Sequence, residues 1–421
     1  MKILFLNAFY PPHIGGGAEV VLRQLAEGLQ RRGCDVAVLA TGPDAGLQQQ
    51  VQQNVRVYRA GLHNLYWHYT QQRPGRLARM GWHLLDRYNQ RMRRYVRAVL
   101  ALERPDIVVS NNLTGWSISA WDEISAAGVP IVQVLHDLYL LCPKDTMFNH
   151  GKVCTQQCGQ CRFMRIRHAG ASAQVAAVVG VSRFVLERVA RHGYFPHASR
   201  YVVHNRSEAN AEQRAPAARP VNQPLRFGYI GTLSENKGVA WLIEQFQALA
   251  IDARLEIAGR GKLDYEARLK AQADPSKVTF HGYRKADDFM REIDVLVVPS
   301  LWDEPFGLVA VEACANHVPV IATQRGGLPE IIQDNLNGLL CSPHEPHSLA
   351  IAMLWLYLDA DLRERLGRQA RASVEPLLDR ERMLDEYQSI LRKTLQGKSI
   401  RHEPEPADHC PTPSVASARD R

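Results

Sequence analysis

The sequence predicts an α/β protein of two doubly wound domains facing each other across a cleft. Three observations predict it. Short apolar runs alternate with amphipathic segments along most of the 421 residues. The stretch Ala209 to Pro224 breaks that alternation with Ala, Pro and Gln and reads as a linker. A second series of apolar runs then begins at Arg226, so the length divides into two halves that can each bury a core.

Each element follows from local pattern. KILFLN is a first strand. AEVVLRQLAEGLQRRG follows as a helix, with Val21, Leu25 and Leu29 four residues apart and Gly33 as its stop. DVAVLAT, DIVVSN, PIVQVLHD, VAAVVGVS and YVVHN are the remaining strands expected before the linker. After it come RFGYIG, RLEIAG, KVTFHG, DVLVVPS, VPVIAT and NGLLCS, then helical segments over 346–396. The expected division is a first domain at 1–208, the linker at 209–224, a second domain at 225–375, and a helix at 376–396 returning to the first domain. The polar, Pro-rich tail 397–421 is expected to be disordered.

Composition narrows the function. Hydrophobic residues make up 46% and charged residues 22%, as in a packed globular protein. A net charge of +8 suits anionic partners such as nucleotides, lipid headgroups or nucleic acid. No window is long and apolar enough to span a bilayer. The opening MKILFLNAFYPP reads as a strand rather than a signal peptide, which places the chain in a reducing cytoplasm. Four of the eight cysteines, Cys142, Cys154, Cys158 and Cys161, then suggest metal or redox chemistry rather than structural disulfides. Their C-x11-C-x3-C-x2-C spacing is expected to hold a structural zinc ion and staple a loop beyond the strand PIVQVLHD. Reduced thiols, an occasional disulfide and an iron–sulfur cluster are the alternatives.

The segment Pro299 to Glu330 carries the densest chemistry. Glu304 lies in the loop after DVLVVPS, Pro305 suits a helix's first turn, and Glu312 lies eight residues beyond Glu304, about two helical turns on. The N–H groups of Phe306, Gly307, Leu308 and Val309 at that helix start would suit a diphosphate. Asp359 and Asp361 form the only D-x-D considered as a metal site, and they read as an exposed turn between helices. Gly15, Gly16 and Gly17, between the first strand and helix, let backbone approach a ligand closely. No dinucleotide G-x-G-x-x-G is present, since Asp264 takes the third place after Gly259 and Gly261.

In order along the chain, PPHIGGGAEVVLRQLAEGLQRRGCDVAVLAT, ERPDIVVSNN, VVGVSRFV, GYIGTLSENKGVAWLI, LEIAGRG, VTFHGY, EPFGLVAVEA and GGLPE resemble the retaining glycosyltransferases of glycosyltransferase family 4, which have the GT-B fold. The resemblance implies a first, acceptor-side domain and a second domain that binds a UDP- or GDP-sugar, with no cofactor or metal needed for catalysis. It implies that Glu312 holds the donor ribose, Glu304 contacts the donor sugar, and Lys237 neutralises the leaving diphosphate. His136 would face the sugar and acceptor. Gly16, Gly17, Gly231, Thr232, Arg260 and Phe306 to Val309 would line the donor. Thr232 departs from the family, which often has an Arg there as a second phosphate cation; Arg260 is one candidate to replace it. The acceptor would be a saccharide or a lipid-linked molecule, in surface polysaccharide or glycolipid synthesis.

Arg73 to Arg97 holds eight arginines and one acid. Trp82, Leu85, Tyr88, Met92 and Val96 recur at helical spacing, so one face either packs on the core or docks beside anionic lipid headgroups. The arginines are not interleaved with an RNA-binding motif, and no nucleic-acid partner is expected. A nucleotide-sugar epimerase of the same fold and a metal- or nucleic-acid-binding protein are the competing readings.

Overall fold

The computed structural model describes residues 1–69, 74–209 and 223–400, with side chains described as far as 397. The core of the expected linker and the tail beyond 400 fall outside the described residues, whereas 397–400, expected to be disordered, continue the last helix.

The first sheet contains β1 (Lys2–Leu6), β2 (Asp35–Gly42), β3 (Leu47–Gln52), β4 (Val55–Gly61), β5 (Ile107–Ser110) and β6 (Ile131–Leu135). A small separate hairpin follows, β7 (Phe148–Asn149) and β8 (Lys152–Val153). The sheet is completed by β9 (Ala177–Gly180) and β10 (Ser199–Val202). The order is β10-β9-β6-β5-β1-β2-β4-β3, and every pairing is parallel except the β3–β4 hairpin. The second sheet is all parallel, with β11 (Leu225–Ile230), β12 (Ala253–Ala258), β13 (Val278–Gly282), β14 (Val295–Val298), β15 (Val320–Thr323) and β16 (Gly338–Cys341). Its order is β13-β12-β11-β14-β15-β16.

The central strands are covered on both faces and therefore read as unbroken apolar runs. Ile3, Leu4, Phe5 and Leu6 of β1 and Val295, Leu296 and Val297 of β14 are all buried. The edges differ: Ser199 and Arg200 are exposed on β10, and Gln48, Gln49 and Gln50 on β3. The sequence did not announce β3. Its turn did carry a signal: Gln53 and Asn54 both have positive φ, at 48° and 64°, as a two-residue hairpin loop requires.

Each sheet has one point where the chain reverses its direction of travel across the strands. In the first it lies between β1 and β5, in the second between β11 and β14. Crevices at such points, beyond the carboxyl ends of the strands, are where open α/β sheets bind ligands.

One apolar cluster crosses between the domains. It runs from β1 and the helix Gly17–Arg31 through the helix Arg380–Ile400 to the helix Leu308–Ala315. The long last helix packs closely on the first: a Cβ on Gly28 would lie 2.6 Å from Leu384. Arg32 donates to Asp385 at 2.7 Å and to Glu381 at the edge of that contact.

The basic stretch does not form one helix. It divides into a helix Arg76–Asp86, a 3-10 turn Gln90–Met92 and a helix Arg93–Glu103. Trp82, Met92 and Val96 are buried, whereas Leu85 and Tyr88 are exposed, so the single apolar line expected from spacing breaks at 87–89. Arg93 and Arg97 pair with Glu123 at 2.9 and 2.7 Å.

Candidate active site

The donor-side residues converge at the β11/β14 reversal. The loop after β14 carries Ser300, Trp302 and Glu304, and the 3-10 turn Glu235–Lys237 follows β11. Lys237 donates from Nζ to Glu304 Oε1 at 2.6 Å. Ser300 donates from Oγ to the same oxygen at 2.6 Å, and Trp302 from Nε1 at 2.9 Å. Burial pushes the Glu304 carboxyl up. Lys237, Ser300 and Trp302 outweigh that, so it stays below the usual range and is ionised at neutral pH. Lys237 also lies 5.2 Å from the centre of the Trp302 ring.

Two glycines allow the turns to meet. Gly231 and Gly259 have φ of 153° and 143°, and a Cβ on Gly259 would lie 1.8 Å from the Gly231 carbonyl oxygen. Beside them Arg260, Leu233, Glu266, Phe280 and Gly282 line a cavity of about 200 Å³. Arg260 is largely exposed there, 3.7 Å from Glu266, and Thr232 is exposed on the preceding turn.

The helix Leu308–Ala315 begins after Gly307, whose φ of 110° suits glycine. Phe306 is buried, and Leu308 and Val309 are half-buried in the helix's first turn. Glu312 sits on this helix. Burial and the nearby Asp287 push its carboxyl up to about 7, and among the described residues no donor reaches it.

The first-domain residues gather at the β1/β5 reversal. His136 follows β6 directly, and its Nε2 meets Asn111 Oδ1 at 3.0 Å. Burial lowers its pKa to about 4, so the ring is neutral at pH 7. Asp137 accepts from Asn112 at 3.1 Å and from the Tyr139 N–H at 2.8 Å; burial raises its carboxyl to about 6. The Gly16 N–H is taken by Glu19 at 2.8 Å. Gly17 faces the second domain, where a Cβ would lie 2.9 Å from Leu308. The glycine turn and the start of the donor-side helix therefore touch across the cleft.

Sequence reasoning did not single out Asn111, Glu19, Ser182, His204 or Glu330. Glu19 had a local signal, since it stands three residues after the cap position Gly16, and so did Ser182, a cap residue directly before a helix. Asp359, half of the D-x-D, caps the helix Ala360–Leu378 by accepting from the Leu362 N–H at 2.8 Å.

The zinc expectation is not supported. Cys161 lies 3.7 Å from Cys142, sulfur to sulfur, and Cys142 is buried while Cys158 is exposed. Among the described residues no group of three or more His, Cys, Asp or Glu is arranged to hold a metal ion. The loop is held instead by backbone and side-chain bonds. Arg188 donates to the Cys154 carbonyl, Gln157 to the Leu141 carbonyl at 2.7 Å, and the Cys154 N–H to the Met147 carbonyl at 2.7 Å.

A hollow of about 720 Å³, lined by Arg97, Arg104 and Leu395, lies at the opposite, amino-terminal end of the first sheet. It brings none of these groups together.

Two α/β domains with largely parallel sheets and their reversal points facing one cleft form the GT-B fold, and comparison with known proteins gives the class. Residues 16–206 match the glycosyl transferase 4-like domain and residues 210–373 match the glycosyl transferases group 1 family. The chain is a glycosyltransferase of the group 1 type. It is 28% identical to an uncharacterised 42.6 kDa protein in the cps region of Klebsiella pneumoniae, over 79% of this chain and 87% of that one. It is 26% identical to an uncharacterised glycosyltransferase of Methanocaldococcus jannaschii, over 89% and 93% of the two chains. Among solved structures, sucrose-phosphate synthase from Thermosynechococcus elongatus superposes with a TM-score of 0.72 at 18% identity, covering 94% of this chain and 99% of that one. Anabaena HepE, solved with UDP, superposes with a TM-score of 0.69 at 20% identity, covering 93% and 100%.

Proposed function

We propose that the protein is a retaining glycosyltransferase that moves a sugar from a nucleotide-diphosphate sugar to an acceptor hydroxyl, without a metal. The observation that carries this reading is the Lys237–Glu304 pair beside the start of the helix bearing Glu312. Breaking the bond between the sugar's C1 and the diphosphate oxygen sends the electron pair to that oxygen. A fixed cation and the helix's first N–H groups stabilise the charge. The acceptor oxygen bonds C1 on the same face, and its proton passes to the departing phosphate. His136, neutral and aligned by Asn111, faces the reacting sugar as a hydrogen-bonding group rather than a charge. Glu312 grips the ribose diol.

UDP-sugars are the first donors to test, because Anabaena HepE was solved with UDP and with UDP-glucose. A thermal-shift screen against UDP-, GDP- and ADP-sugars should raise the Tm of the wild type with one base and leave Glu312→Ala unmoved. No shift with any of them, or an equal shift in the variant, would falsify the donor assignment.

The acceptor is a saccharide or lipid-linked molecule, in surface polysaccharide or glycolipid synthesis; the relative in the Klebsiella cps region supports that setting. No helix among the described residues is long and apolar enough to cross a membrane. Peripheral contact is supported by Leu77, Met80, Leu84, Leu85 and Tyr88, exposed beside Arg87 and Arg91. Vesicles containing phosphatidylglycerol should sediment the wild type and release a variant with Arg87→Ser, Arg91→Ser and Leu77→Ser. Equal, negligible binding by both removes the membrane.

A further inference from the structure

We propose that Glu330 is a positioning residue that ties the apposition of the two domains to the placement of Glu304. The proposal rests on the reading of Glu304 as a donor-site group.

Glu330 closes the 3-10 turn Leu328–Glu330 of the second domain, but its carboxylate belongs to the first. Oε2 accepts from the Arg183 N–H at 2.9 Å and Oε1 from the Phe184 N–H at 2.8 Å. These are the first two N–H groups of the helix Arg183–Ala190. Such groups have no partner within their own helix, and the helix dipole favours an anion there. The helix's own cap, Ser182, accepts from the Val185 N–H at 3.2 Å and leaves those two to the other domain. His204, just before the linker, adds a third contact from Nε2 to Oε2 at 3.0 Å. Burial raises the Glu330 carboxyl, but His204 and the two N–H groups hold it below the usual range.

The same loop holds Glu304 from behind. The Gly327 N–H donates to the Glu304 carbonyl at 2.7 Å. Gly326 has a φ of 60°, and a Cβ there would lie 2.1 Å from the Glu304 carbonyl oxygen and 2.5 Å from its nitrogen. No other residue type fits without moving the Glu304 backbone. Two parallel contacts reach the front of the loop: Ser182 Oγ donates to the Pro305 carbonyl at 2.6 Å, and the His204 ring stacks on Phe306 at 5.4 Å and 26°. The first domain thus holds the backbone on both sides of Glu304, through the Glu330 carboxylate, the Pro305 carbonyl and the Phe306 ring. Separating the domains removes those restraints together. Closing them restores the position in which Glu304 meets Lys237.

The test uses the full chain as wild type, Glu330→Ala and Glu330→Gln, with Tm confirming folding. Three quantities are read: the Kd of whichever of UDP, GDP and ADP binds the wild type, kcat for hydrolysis of the matching sugar nucleotide, and the radius of gyration by X-ray scattering. Glu330→Ala is expected to lose about a hundredfold in kcat, to keep its nucleotide Kd within threefold, and to have a larger radius of gyration. Glu330→Gln, which retains an acceptor oxygen, should recover part of the rate. Unchanged kcat overturns the proposal, and so does a loss of nucleotide affinity equal to the loss of rate. If the wild type binds and hydrolyses none of the sugar nucleotides, the donor reading has failed, and an unchanged radius of gyration in Glu330→Ala then removes the coupling on its own.

Discussion

The loop after β14 and the insertion after β6 occupy matching places beyond the carboxyl ends of their sheets, yet their polar groups are treated in opposite ways. In the first, the buried Glu304 carboxylate receives three donors on one oxygen. In the second, the buried Arg165 lies 4.0 Å over the Tyr139 ring, with Nε and Nη2 lacking partners among the described residues. Nearby, Asp86 is fully buried and burial raises its carboxyl to about 6, despite donors from Tyr139 and the Gly115 N–H. The Nδ1 atoms of His136 and His83 are also unpartnered. A buried donor left without an acceptor costs about 1–3 kcal/mol, so the insertion carries a burden that the β14 loop does not. The β14 loop is finished before any ligand arrives. The insertion is left for something else to complete.

The sharpest way to break the contrast is to unbalance the finished side. Lys237→Ala should lower turnover roughly 10²–10³-fold, the usual loss when a group stabilising transition-state charge is removed. It also strands the Glu304 carboxylate. In the wild type Glu304 has a depressed folded-state pKa, so its stabilisation is present above the unfolded pKa and lost as pH falls through the folded one. Without Lys237 burial dominates, the folded pKa rises, and the sign reverses. The variant should then be less stable at pH 8 than at pH 5. Adding Glu304→Gln should restore its Tm at pH 8 without restoring turnover. A single variant with wild-type pH dependence would mean that Lys237 does not hold the carboxylate ionised.

Glu312, on the helix that follows the β14 loop, is a buried carboxylate that no donor reaches among the described residues. Its folded pKa of about 7 lies above the ordinary glutamate value, so the native state binds the extra proton over the window from about 4.5 to 7, and stability falls as pH rises through it. Glu312→Gln should therefore be more stable than wild type at pH 8, by up to about 3 kcal/mol, and indistinguishable from it at pH 4. Sugar-nucleotide affinity should fall about tenfold to a hundredfold, as one charge-assisted bond to a diol is lost and the other keeps only a neutral acceptor. A destabilised variant at pH 8 would show that the carboxylate is already satisfied in the free protein.

The insertion side predicts a smaller effect. His136 is neutral above about pH 5, whereas Asp137 titrates near 6. A severalfold step in the pH–rate profile near 6 should disappear in Asp137→Asn and persist in His136→Gln. The reverse assignment would place the proton on the imidazole.

What the sequence disclosed divides along the same line. The strands of the second sheet are short, mainly apolar runs, unbroken in β14 and β15, and Glu304 and Glu312 are fixed relative to each other by one loop and one helix. Such local relations are legible. Glu330 is 146 positions from Phe184, and nothing near either residue signals the other. The edge strand β3 escaped because Gln48, Gln49 and Gln50 face water and erase the alternation that would mark a half-buried strand. The cysteines misled for a related reason. Spacing along the chain suggests a ligand set, but convergence depends on how the insertion packs, which no local pattern encodes.

That makes the cysteines the finest test of the contrast. Cys142 is buried in the first domain's core cluster, its sulfur 3.7 Å from that of Cys161, while Cys158 is exposed. If packing holds the insertion, four single serine variants should separate by burial. Cys142→Ser puts a hydroxyl into an apolar site and should cost about 1–3 kcal/mol. Cys158→Ser should stay within about 0.5 kcal/mol of wild type, and Cys154→Ser and Cys161→Ser should fall between. A shared ligand would impose another pattern, because losing any one of four thiolates disables the whole set. Near-equal losses at all four positions, reproduced in the wild type by a chelator and reversed by added zinc, would show that the insertion is tied by a metal after all. A graded series, unmoved by chelator, leaves the insertion held by its core contacts and its buried polar groups still waiting for a partner.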